Sequence, residues 1–171
     1  MDRRRVIVTG NARNGLAIGA QFGHDDGDRL DILIAARLVE RVAVEGAALT
    51  IYEALIDGTY CETLDDGEAA RIAVAAQYGA VAVLDERKAK RICGQHFPNV
   101  DQGCTAQWLV QIAALGTAVR AEAMINALRL GRTRVPPEFL AAVVALVGIE
   151  AASACPSLPR LTRLFAAQSV S

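Results

Sequence analysis

The sequence predicts a parallel α/β domain followed by a run of helices, and three observations carry that reading. Residues 65–78 keep a helical period and are stopped by Gly79. Five apolar residues follow at once, Ala80-Val81-Ala82-Val83-Leu84, the pattern of a short strand buried on both faces. A second helical segment opens at Glu86. Helix, glycine stop, buried strand and helix in that order is the grammar of a βαβ unit.

The elements can be justified in order. Val6-Ile7-Val8 reads as a brief strand, after which glycines at 10, 15, 19, 23 and 27 interrupt every pattern. Residues 28–38 carry apolar positions at 30, 32, 33, 34 and 38 and read as a helix with Asp28 near its start. Residues 39–44 alternate apolar and charged side chains and suit a short strand. Residues 46–56 read as a helix ended near Gly58. In 65–78, Asp65 and Glu68 form a D-x-x-E capping pair. Residues 86–94 form a basic helix, and Pro98 ends that unit.

From Thr105 the chain is helical throughout. Helices are expected over 105–115, 117–130 and 136–147, with Gly116 and Gly131 as breaks and Pro136-Pro137 opening the third. Trp108, Leu109, Ile112 and Leu115 form a core-facing stripe. Met124, Ile125, Leu128, Phe139, Val143 and Leu146 read as packing residues, or equally as a dimer or partner-helix surface. The tail after Gly148 holds Pro156 and Pro159 and is expected to be loosely ordered.

Composition bounds the function. A chain of 171 residues fits one domain with a helical appendix. It is 53% hydrophobic, much of that alanine, and 5% aromatic, which points to closely packed helices rather than an aromatic β-sandwich. A net charge of -1 excludes a globally basic nucleic-acid binder but leaves room for a local basic patch. Cysteines 61, 93, 104 and 155 lack zinc-ribbon or redox spacing and read as reduced thiols. Arg3-Arg4-Arg5 precedes too short an apolar run for a signal peptide. Residues 139–149 are too few to span a bilayer, which takes about 20. The expectation is a soluble, cytoplasmic protein that does not enter the membrane.

The chemistry centres on acids. Asp65, Asp66 and Glu68 lie in the first turn of a helix, where acids also serve simply to favour the dipole and cap open N–H groups. Asp85 follows the buried strand, at the carboxyl edge where ligands of open α/β folds bind. Its structural alternative is the N-cap of the helix opening at Glu86. Two such acids meeting at the top of a parallel sheet suit a divalent metal and phosphate chemistry. Arg87, Lys88, Lys90 and Arg91 follow as a phosphate-attracting cluster or a solvated helix face.

Leu64-Asp65-Asp66-Gly67-Glu68-Ala69-Ala70-Arg71-Ile72-Ala73, with Leu84-Asp85-Glu86-Arg87-Lys88-Ala89, resembles the second half of a PIN domain. The resemblance covers roughly residues 28–105. It implies a three-layer α/β/α sandwich with a small parallel sheet, followed here by C-terminal helices. It also implies Mg²⁺- or Mn²⁺-dependent endoribonuclease activity, as in toxins of toxin–antitoxin pairs. Glu68 and Asp85 match the metal-binding acids, and both are expected to be catalytic. Arg87, Lys88 and Arg91 would bind the RNA substrate. An antitoxin or other protein partner and a homodimer are further expectations. On this division 1–27 is a divergent N-terminal segment, 28–105 the PIN-like core, 106–148 a helical extension and 149–171 a tail.

The departure lies upstream. A PIN domain opens with a strand ending in aspartate, and Val6-Ile7-Val8 runs instead into Thr9-Gly10. Asp25, Asp26, Asp28, Asp31 and Glu53 are nearby acids, none at the end of an apolar strand. The alternative function is therefore a catalytically degenerate PIN-like interaction protein. A rival resemblance, of residues 6–18 to the start of a short-chain dehydrogenase, fails on glycine spacing. It also lacks a Tyr-x-x-x-Lys pair, because Lys88 and Lys90 are the only lysines.

Overall fold

A computed structural model describes residues 6–11 and 26–160. Readings that fall on Arg3-Arg4-Arg5, Gly15, Gly19, Gly23 and Asp25 lie outside the described residues. The α/β expectation holds in its coarse form. Among the described residues helices dominate, and the strands form two small pairs, β1 (Val6–Thr9) with β2 (Val39–Val42), and β3 (Ala82–Val83) with β4 (Gln102–Gly103). No helix among the described residues is long and apolar enough to cross a membrane.

The chain divides into two compact units. The first holds residues 1–82 and 87–102, the second 83–86 and 103–171. In the first, β1 and β2 pair in parallel, Val6 beside Val39 and Thr9 beside Val42. They are linked through α1 (Asp26–Ala35), as a parallel connection requires. The expected strand over 39–44 stops at Val42, and the helix expected over 28–38 stops three residues early. It stops because Arg37 takes the left-handed conformation at φ 56° and Leu38 N donates to Leu33 O at 3.0 Å, the closure of a Schellman motif.

Two helices cover one face of this pair, α2 (Ala47–Ile56) and α3 (Asp66–Tyr78). Val42, Ala48, Ala73 and Val74 form the shared core, flanked by Ile7, Ile51 and Tyr52. Buried alanines at 69, 70 and 73 keep that side of α3 thin, so neighbouring backbone packs close. Gly46 gives α2 no side-chain cap, and Gln77 of α3 supplies one, its Oε1 accepting from Ala48 N at 2.7 Å. α3 ends as the sequence predicts, at Gly79 in the left-handed region (φ 60°), with the Gly79 N–H donating to Ala75 O.

The strand predicted over 80–84 shrinks to Ala82–Val83. Ala82 N donates to Asp101 O at 2.8 Å and Leu84 N to Gly103 O at 3.0 Å, an equal advance along both chains that marks parallel pairing. The basic helix α4 (Arg87–His96) completes the first unit, burying Ala89, Ile92 and Cys93.

The second unit is helical: α5 (Thr105–Gln111), α6 (Thr117–Arg129), a 3-10 turn over Pro137–Phe139, α7 (Leu140–Val147) and α8 (Ile149–Ser153). Met124, Leu128 and Val143 are fully buried in its core, as their spacing predicts. Leu115 corrects the expected stripe. α5 stops at Gln111, before Leu115, which is left 38% exposed. The described part of the tail, to residue 160, also differs from expectation, since α8 forms and Ala152, Cys155 and Leu158 close the same core. Apolar side chains at those positions outweigh Pro156 and Pro159. Gly131 is required by close approach, because a Cβ there would sit 2.9 Å from Ala127 O.

Candidate functional site

Glu68 is placed by the N-terminus of α3. Asp65 caps that helix, its Oδ1 accepting from Glu68 N at 2.8 Å, as the expected D-x-x-E pair requires of its first member. The Glu68 side chain is only 4% exposed, an unusual burial for a carboxylate.

Asp66, read from the sequence as a first-turn acid, turns out to be a junction. Its Oδ2 accepts from Asn11 Nδ2 at 2.7 Å, and its Oδ1 accepts from the Tyr52 hydroxyl. Asn11 Nδ2 also approaches Tyr52 Oη at 3.4 Å. The segment after β1, helix α2 and the first turn of α3 thus meet in one network. The bond from Tyr52, then that from Asn11, holds the Asp66 carboxyl below its ordinary range. The same bond, with lesser contributions from burial and the Asp66 charge, pushes the Tyr52 hydroxyl up. Tyr52 and Asn11 were missed in the sequence, where nothing local marks either.

Thr9 stands at the carboxyl end of β1, in register with Val42. Registered residues share a face of the sheet, so its side chain points toward the α2–α3 layer. It is 4% exposed, and Oγ1 has no hydrogen-bond partner among the described residues. Thr9, Gly10 and Asn11 therefore occupy the strand end where an aspartate would introduce a metal site. Glu53 is exposed on α2.

Asp85 lies in the second unit, and both its oxygens are engaged. Oδ1 accepts from Thr105 N at 2.9 Å and Oδ2 from Thr105 Oγ1 at 2.7 Å. The expected N-cap role is thus corrected in its address. α4 opens at Arg87, and Asp85 binds instead the first residue of α5, 20 positions along the chain. There it supplements Cys104, whose Sγ accepts from Gln107 N at 3.4 Å. A carboxylate at that end also opposes the positive pole of the helix.

Of the basic residues, Arg87 and Lys88 are exposed. Arg91 is committed elsewhere, its Nη2 donating to Glu62 Oε1 at 2.7 Å and Oε2 at 2.6 Å. That bond, aided by the Arg91 and Lys88 charges, keeps the Glu62 carboxyl below its usual range. Tyr60 packs against the C-terminal end of α4, 4.6 Å from the His96 ring and 5.4 Å from the Phe97 ring between centroids. All four cysteines are free thiols, and burial pushes the Cys93 thiol up.

Mg²⁺ and Mn²⁺ ask for several convergent oxygens with lone pairs to spare. Asp85 and Asp66 each accept a protein hydrogen bond at both oxygens, and among the described residues no three His, Cys, Asp or Glu side chains converge as a metal requires. The described residues do not fit that cofactor. Comparison with protein-family models, curated proteins and solved structures gives no match.

Proposed function

We propose that this chain is a PIN-like protein whose nuclease-type acids serve the fold, so that it acts as a non-catalytic, cytoplasmic interaction protein. The three-layer α/β/α arrangement belongs to this proposal and is supported by the two sequence motifs. The observation that carries the reading is Asp85, whose carboxylate closes on Thr105 through both oxygens. The strand end at Thr9-Gly10-Asn11 supports it, with an amide and a hydroxyl where a metal site would begin. The C-terminal helices offer Val119, Leu130 and Ile149 to a protein partner, each more than half exposed. The test is Mn²⁺-dependent cleavage of RNA by the full chain. The expected result is no cleavage above a metal-free control; cleavage that Asp85→Asn and Glu68→Gln both remove would overturn the proposal.

A second reading has one observation in its favour. Glu68 is a buried carboxylate in the first turn of α3, and such burial is common at functional sites. On that reading Glu68 and Asp85 are the catalytic and metal-binding acids of an Mg²⁺- or Mn²⁺-dependent ribonuclease. Arg87 and Lys88 contact the RNA backbone, and the protein is a toxin with an antitoxin partner.

A further inference from the structure

A cleft of about 480 Å³ opens beside the C-terminal end of α1, lined by Ile34, Arg37, Val39, Glu40 and Arg41. That volume suits a small ligand. Alternation along β2 sets the Val39 and Arg41 side chains on one face and those of Glu40 and Val42 on the other. Val42 enters the core shared with α2 and α3, so Arg41 lies on the face turned away from that core. Arg37 and Arg41 are both exposed, and neither guanidinium has a carboxylate partner among the described residues. Glu40, the acid of the lining, has an engagement of its own.

We infer that this cleft binds a small organic phosphate. A guanidinium is planar, permanently charged and forks onto phosphate oxygens in pairs. Two of them at one cleft suit a phosphate dianion better than the single charge of a carboxylate. The C-terminal pole of α1 opposes an anion, but it amounts to about half a unit charge against two full positive ones. Ile34 and Val39, both half-buried, supply an apolar wall, and the cleft has room for more than a bare phosphate. The backbone of Arg37 points the same way. It stands in the left-handed region at φ 56°, at the helix-end position where glycine is usual. An arginine there carries backbone strain that glycine would avoid, and what it adds is a charge at the cleft. The site goes beyond the proposed function, since it shares no residue with the Asn11–Asp66 network and involves neither Glu68 nor Asp85.

Calorimetric titration of the full chain with phenyl phosphate at low salt tests this. Exposed guanidiniums are screened, so saturable binding with a Kd on the order of 0.1–1 mM is expected, weakening as salt is raised. Inorganic phosphate should bind roughly tenfold more weakly, because it leaves Ile34 and Val39 uncovered. Arg37→Gly and Arg41→Gln should each weaken phenyl phosphate binding about tenfold. Arg37→Gly also relieves the left-handed backbone, so its thermal midpoint should at least equal that of the wild type, and a lost fold cannot then explain lost binding. Arg129→Gln removes the same charge from the second unit and should bind as the wild type does. A wild type without saturable binding, an Arg37→Gly variant that binds as tightly as the wild type, an equal loss in Arg129→Gln, or inorganic phosphate bound as tightly as phenyl phosphate would each overturn the inference.

Discussion

Asp85 and Asp66 use their carboxylates differently from what their sequence neighbourhood suggests, and both uses can be measured. Asp85 accepts two bonds from Thr105 and anchors the start of α5. Asp85→Ala is expected to cost about 1–3 kcal/mol, because it leaves two half-buried donors of Thr105 unmet. Thr105→Val should cost less, about 1 kcal/mol, since the backbone bond survives. Denaturant unfolding checks both values. Asp66 makes stability depend on pH. Its carboxyl is held low by Tyr52 and then Asn11. The stabilisation is therefore complete above the ordinary aspartate value of about 4 and is lost as pH falls through the folded value. Tyr52 is shifted upward. Its contribution is complete below about 10 and is lost as pH rises through its folded value. Tyr52→Phe should flatten both limbs of a stability–pH profile, and an unchanged profile would contradict the network.

At the scale of elements, local signals were legible and distant ones were not. The Asp65 cap and the Gly79 stop rest on contacts within one or two helical turns, which residue type and spacing encode. Gly79→Ala should destabilise by about 1 kcal/mol through backbone strain alone, because no side chain lies within 4 Å of the added Cβ. A neutral result in thermal unfolding would contradict the left-handed cap. The bonds that define the candidate site span 55 residues from Asn11 to Asp66, 20 from Asp85 to Thr105 and 29 from Glu62 to Arg91. No periodicity connects such pairs. Arg91 shows the consequence: its helix was legible as basic, but its engagement with Glu62 was not. The tail was misread because Pro156 and Pro159 spoke louder than Cys155 and Leu158, which fill a core the sequence does not display.

For the molecule as a whole, the α/β order followed by helices was readable from the 65–94 segment, and each of the two units closes on its own apolar cluster. Function was less readable, because it turns on whether acids that look like metal ligands are free to act as such. The structure engages Asp66 and Asp85 with protein donors, and at the end of β1 it sets a threonine and an asparagine. The most direct test is a calorimetric Mn²⁺ titration of the full chain beside Asp85→Asn. The account predicts no saturable heat in either protein, with the variant less stable to denaturant. Saturable Mn²⁺ binding in the wild type that Asp85→Asn abolishes would contradict it.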